Sequence, residues 1–221
     1  MEIDYLIWLL LAGSCLGYLL EMIWYRKLRG TWINRKGLIY GPFIPIYGIA
    51  LAGFSILFQK IKKQNLIKIF LIGSIAGSSF EYFSGFLQEK IFGTKSWDYS
   101  KKPFQIKGRI CLEFAFYWGI AASGAGFVLL PLLSRLMITL KNLHLIPALE
   151  WLFLLFLADC LISFLACFRQ RLRRQGKPAD TRLEEFLDNH YPDERLDAIF
   201  TEIRILDQER YKESSPTCTL T

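Results

Sequence analysis

The sequence predicts an all-α polytopic membrane protein. Five transmembrane helices contain a tandem parallel two-helix repeat, and a cytoplasmic amphipathic helical tail follows them. Three observations carry this expectation. Of 221 residues, 52% are hydrophobic and 15% aromatic, gathered into long apolar runs instead of being spread at the period of a surface helix or strand. A carboxylate lies inside such a run twice in the same setting, in Gly17-Tyr18-Leu19-Leu20-Glu21 and in Gly77-Ser78-Ser79-Phe80-Glu81. Lysine and arginine crowd alternate loops, as a membrane topology signal does.

The runs cover residues 4–25, 38–58, 66–88, 110–133 and 148–168. Each is close to the roughly 20 residues that cross a hydrocarbon core of about 30 Å as a helix. The first is expected to stay attached as a helix, because Glu2 and Asp4 precede it where a signal peptide carries basic residues. The second opens on Gly41-Pro42 and Pro45, with Gly37 and Gly48 nearby. Two missing backbone donors predict a broken helix start, either a kink that packs helices or a half-helix lining a pocket. The fifth carries Asp159 at its middle, a candidate for one interhelical hydrogen bond. Residues 1–168 form the membrane domain in this reading, and 169–221 a basic linker with an acidic helical tail.

Orientation follows from the basic residues. The first loop, the third loop and the segment after the last span hold 16 Lys and Arg, against 6 in the second and fourth loops. The excess belongs on the cytoplasmic side, so the amino terminus is expected outside and the carboxyl terminus inside the cell membrane. The net charge of +7 hides a division: residues 180–221 hold 5 Lys and Arg against 11 Asp and Glu. The basic part reads as topology signal and attraction to the lipid bilayer, and no nucleic acid is implied. In the tail, Leu196, Ile199, Phe200, Ile203 and Leu206 predict one apolar stripe on a helix starting near Tyr191-Pro192-Asp193. That stripe packs on the chain's own basic loops or grips a cytosolic partner. Ser214–Thr217 is expected to be disordered.

The repeat extends beyond the glutamates. A basic, Trp-containing loop follows each of them, ending in Lys36-Gly37-Leu38-Ile39 and Lys107-Gly108-Arg109-Ile110. An offset of 71 residues then matches Phe43 with Phe114, Tyr47 with Trp118 and Gly48 with Gly119. An even number of spans between copies makes the repeat parallel.

An ionised side chain at the centre of a membrane helix costs about 2.5–3.5 kcal/mol, while each Leu or Phe returns about 0.3–0.6. Such a residue persists for structure or for function. Glu21 and Glu81 lie roughly 6–10 Å from the inner helix ends at a rise of about 1.5 Å per residue. Arg109, Glu113, Asp98 and Tyr40 lie on the same side, and Pro42 at the helix break. These seven residues are the candidate ligand-binding set, around an acidic pocket open to the cytoplasm. No catalytic residue, metal site or cofactor is expected. The chain has two histidines and five cysteines without metal-ligand spacing, and no phosphate-binding Gly-rich loop is present.

Gly37-Leu38-Ile39-Tyr40-Gly41-Pro42-Phe43-Ile44-Pro45-Ile46-Tyr47-Gly48, with Trp97-Asp98-Tyr99-Ser100 and Lys107-Gly108-Arg109-Ile110-Cys111-Leu112-Glu113, resembles the CmpB-like family over residues 5–168. Members of that family are described as ABC-transporter permeases. The resemblance implies a transport subunit that works with an ATPase subunit in trans, and five spans suggest a homodimer. A second class stays open: an inner-leaflet enzyme or lipid-binding protein in which the same carboxylates act with Arg109.

Overall fold

The computed structural model describes residues 2–32, 35–59, 65–201 and 203–206. Lys60, Lys62, Lys63, Ser214–Thr217 and Cys218 lie outside them. Helix α1 runs over Ile3–Arg29, α2 over Pro45–Gln59, α3 over Leu66–Phe92 and α4 over Leu112–Gly124. A π-helical turn at Ala125–Leu129 joins α4 to α5, Leu130–Asn142, and α6 spans Ile146–Arg174. Short helices α7 (Arg182–His190) and α8 (Asp193–Ile199) follow. Among the described residues four two-residue strands complete the fold. β1 (Thr94–Lys95) pairs antiparallel with β4 (Arg204–Ile205), and β2 (Gln105–Ile106) with β3 (Ile110–Cys111).

Among the described residues four stretches are long and apolar enough to cross a membrane, where five were expected: Ile3–Arg29, Leu66–Phe92, Leu112–Asn142 and Ile146–Arg174. The expected span 38–58 contributes a helix of only 15 residues. At about 1.5 Å per residue it covers roughly 22 Å, less than the hydrocarbon core. The reason is the Gly-Pro composition before it. Residues 37–44 stay out of the helix, Pro45 opens it, and Gly37 N donates back to Phe43 O (3.1 Å). The expected span 110–133 instead runs on to Asn142, because the π turn absorbs Pro131 without ending the helix.

The helices pack through small residues, which let backbones approach where lipid offers no hydrophobic drive. In the α1–α2 pair, Gly13 meets the Gly48 backbone and Gly17 lies under the Tyr47 ring. In the α3–α4 pair, Gly73 meets Ala122 and Gly77 lies under the Trp118 ring. Gly48 faces Ser14, and Gly119 faces Ser74. A shared apolar core of Leu9, Leu51, Phe54, Phe58, Ile69 and Ala122 joins the two pairs. Helix α5 closes on α1, where Tyr5 Oη bonds Ser134 Oγ (2.8 Å) and Trp8 Nε1 donates to Leu133 O (3.0 Å). Helix α6 enters through Phe156, edge-on to Phe43 at 5.3 Å between centroids.

The tail departs from the single helix expected over 191–206. Helix α8 stops at Ile199, and the chain turns to pair with β1, Leu206 N donating to Gly93 O (3.0 Å). Helix α7 starts in a capping box, with Thr181 and Glu184 exchanging bonds. The basic run Arg169–Arg174 belongs to the last turns of α6 and holds the tail. Arg169, 3% exposed, donates two bonds to Asp188 (2.9 and 2.8 Å), and Arg173 reaches Asp188 and Asp193 (2.5 Å each). Leu187, Tyr191 and Leu196 then bury against Ile39 and Ala166.

Candidate functional site

The ends of α1, α3 and α6 share one side of the bundle with the loops that precede α2 and α4. Arg35 donates to Ser96 O (2.9 Å), joining the first loop to the third, and Arg171 donates to Ile91 O (2.7 Å), joining α6 to α3. On this side each of the two glutamates accepts from the residue that stands on the facing helix above its glycine. Tyr47 Oη donates to Glu21 Oε1 (2.6 Å), and Trp118 Nε1 donates to Glu81 Oε2 (2.9 Å). The close approach at Gly17 and Gly77 makes room for those rings.

The two carboxylates differ in their second partner. Glu21 has a cation, Arg35 Nη1 at 3.4 Å, and its side chain is 20% exposed. Glu81 is 7% exposed and takes a neutral donor instead, Tyr99 Oη at 2.8 Å. Among the described residues Glu81 has no basic partner. Burial first, and the Glu81 carboxylate second, push the Tyr99 phenol well above its ordinary range, so it remains a donor. Tyr99 stacks on Phe114 at 4.4 Å. Tyr47, Glu21 and Arg35 thus form one bonded polar group, and Trp118, Glu81 and Tyr99 a second.

The other expected residues divide. Arg109 faces Glu89, with bonds of 3.2 and 2.6 Å, and Tyr82 Oη at 3.1 Å, and its guanidinium lies over the Tyr82 and Phe86 rings. Glu113 is 43% exposed on the outside of α4 and pairs with Lys102 at 2.8 Å. Asp98 accepts from Ser100 N (3.0 Å) and lies against Gly108, whose φ of 68° suits the absence of a side chain. Tyr40 Oη bonds Tyr191 Oη (2.7 Å), and Pro42 is exposed. One surface hollow is lined by Pro103, Phe104, Leu112, Glu113, Phe116 and Tyr117, and another lies between Glu2, Tyr5 and Lys141. Neither is lined by Glu21 or Glu81. Among the described residues no group of three or more His, Cys, Asp or Glu is placed to hold a metal ion.

Asp159 has the fullest set of partners of the intramembrane carboxylates. Oδ1 accepts from Tyr40 N (3.2 Å) and Ser163 Oγ (3.1 Å), and Oδ2 from Gly41 N (2.7 Å). Ser163 Oγ also accepts from Ile39 N (2.9 Å). Three backbone donors of the broken segment, on Ile39, Tyr40 and Gly41, therefore aim at α6, which answers their hydrogen-bonding need.

The family described as "Putative ABC-transporter type IV" matches residues 8–164, more than half of the chain. The chain belongs to this family. The matched region contains all four long helices except the far ends of the first and last, together with both glutamates and Asp159. No curated protein and no solved structure matches the chain. The family and the apolar helices make it a membrane protein related to transport.

Proposed function

We propose that this chain is the membrane-embedded subunit of a transporter, that Glu81 is the residue that takes up a cation or a proton, and that Glu21 holds the matching position as structure. The observation that carries the reading is the difference between the two glutamates. An ionised carboxylate out of water without a cation costs several kcal/mol. Arg35 offsets that cost for Glu21. Glu81 has only Tyr99 and Trp118, both neutral donors, so its charge is balanced by a bound proton or by a cationic ligand.

The helix pairs α1–α2 and α3–α4 are read as two copies of one unit. Support comes from an offset of 60 residues that aligns Gly13, Ser14, Gly17 and Glu21 with Gly73, Ser74, Gly77 and Glu81, and from the offset of 71 that aligns Tyr47 and Gly48 with Trp118 and Gly119. In this reading α2 completes a five-helix arrangement as a shorter element that enters the membrane from the loop side. The basic residues put that side in the cytoplasm, with the amino terminus outside. An ATPase subunit in trans supplies the energy, and a homodimer supplies the remaining helices of a transport path. The acidic pocket forms when Tyr47 and Tyr99 swing from the carboxylates. The enzyme reading is not adopted, because Glu89 and Tyr82 already engage the Arg109 guanidinium.

Infrared difference spectra of the purified chain test the assignment. A protonated-carboxyl band that responds to pH or added cations is expected in the wild type and in Glu21→Gln, and is lost in Glu81→Gln. Glu21→Gln lowers thermal stability because it leaves Arg35 without its partner, whereas Glu81→Gln keeps stability and removes the growth or uptake phenotype of the gene. An unchanged band in Glu81→Gln, or a phenotype indifferent to that substitution, refutes the proposal.

A further inference from the structure

The loop before α4 contains a second feature, separate from the glutamates. Three consecutive observations define it. The β2–β3 hairpin holds two non-glycine residues in the left-handed region, Phe104 at φ 52° and Lys107 at φ 51°, a conformation that bulky side chains avoid unless their surroundings impose it. The result is a Phe104 ring 80% exposed, where a water-facing loop gains nothing from an aromatic. Phe104 also forms one wall of an open surface hollow of about 480 Å³, lined besides by Pro103, Leu112, Glu113, Phe116 and Tyr117.

The hollow is continuous with the outer face of α4. Leu112, Phe116 and Ile120, four residues apart, are exposed along one stripe, which is the surface a spanning helix turns toward acyl chains. Lys102 borders it through its pair with Glu113 at 2.8 Å. Lys101, beside Lys102 in the chain, and Lys107, in the turn between β2 and β3, are exposed on the same loop with no ion-pair partner among the described residues. Apolar walls that run into the lipid face, with two unpaired cations on the loop that builds the hollow, match one class of molecule in shape and charge.

We propose that this hollow seats a single phospholipid with an anionic head group. An acyl chain lies along Leu112, Phe116 and Ile120 with Phe104 folded over it, and the phosphate meets Lys101 and Lys107. The left-handed backbone at Phe104 and Lys107 sets the ring toward the membrane and the amines toward the head group, so the strained hairpin is the lid of the seat. The site is independent of the Glu81 assignment and of Arg109.

The test uses the full chain extracted from nanodiscs that contain phosphatidylglycerol and phosphatidylcholine of the same acyl composition, with retained lipids counted by native mass spectrometry. The wild type is expected to keep one phosphatidylglycerol in preference to phosphatidylcholine. Lys101→Gln combined with Lys107→Gln should weaken that preference by about 30-fold, the effect of losing two surface cations beside an anionic lipid. Phe104→Ser should reduce retention of both lipids, and Lys27→Gln, on another exposed surface, should change neither. Equal retention of the two lipids by the wild type, a preference that survives the double lysine substitution, or an equal loss in Lys27→Gln would overturn the proposal.

Discussion

Removing the Asp159 carboxylate should loosen the broken segment before α2 more than any other single change in α6. Asp159 is 7% exposed and accepts from Tyr40 N, Gly41 N and Ser163 Oγ. In Asp159→Ala the serine can turn to a helix carbonyl, but the two amides lose their acceptor. A buried donor left unmade costs about 1–3 kcal/mol, and hydrogen bonds between membrane helices average about 0.6 kcal/mol because the unfolded reference also finds partners. Two stranded amides therefore place the loss at about 2–5 kcal/mol. For a chain of this size each kcal/mol moves the midpoint by about 2–4 °C, so a fall of roughly 4–20 °C is expected in detergent. Asp159→Asn should fall between, since its carbonyl keeps one amide while its NH2 faces the other. Hydrogen exchange locates the effect: Ile39, Tyr40 and Gly41 lose protection while the α3–α4 pair keeps it. A midpoint shift below about 1 °C, or unchanged exchange at those three amides, would show that the segment is held by its own packing and not by Asp159.

Two further outcomes follow from the geometry. Gly77→Ala puts a methyl 2.5 Å from the Trp118 ring, and overpacking of about 1–3 kcal/mol should outweigh the roughly 1 kcal/mol gained in helix propensity; the check is a lower melting midpoint, with Gly53→Ala, which meets nothing within 4 Å, unchanged or higher. The tail should undock in acid: Arg169, then Arg173, hold the Asp188 carboxyl below its ordinary value, so its contribution is complete above the unfolded carboxylate value and is lost as pH falls through the folded one. Exchange protection over Arg182–Ile199 that is flat from neutral down to about pH 4 and drops below it is expected, and a loss beginning near neutrality would refute this.

Much of the membrane domain was legible from residue order, because apolar run length and small-residue spacing act locally. The offset of 71 residues matched Tyr47 with Trp118 but did not show that each donates to the glutamate of its own helix pair. Arg35 and Tyr99, which make the two glutamates unequal, carried no comparable signal, since each reaches its carboxylate through an irregular loop. Asp159 reads as the site of one interhelical hydrogen bond, with no partner legible. Its reward lies more than a hundred residues away, in the amides of Tyr40 and Gly41. Arg109 and Glu113 were expected beside the glutamates because they share a depth with them, yet helix rotation and the hairpin turn them to Glu89 and Lys102. The reading of one tail helix followed the apolar stripe 196–206 and passed over Thr181-Arg182-Leu183-Glu184, whose spacing marks a helix start. It also treated Arg169–Arg174 as a linker, because a run of charge reads as solvated until its acidic partners, some 20 residues on, are placed in space.

The wide turn at Ala125–Leu129 lets one continuous helix answer to two neighbours. Before it, Gly119 and Ala122 press on α3; after it, Leu133 and Ser134 meet Trp8 and Tyr5 of α1. One residue in excess of the α pitch turns everything beyond it by about 100°. The same span can therefore belong to its own hairpin at one membrane surface and staple the opposite hairpin at the other. The two helix pairs are tied at that far end through Trp8 and Tyr5, and at the end where Glu21 and Glu81 lie through loops, by Arg35 on Ser96.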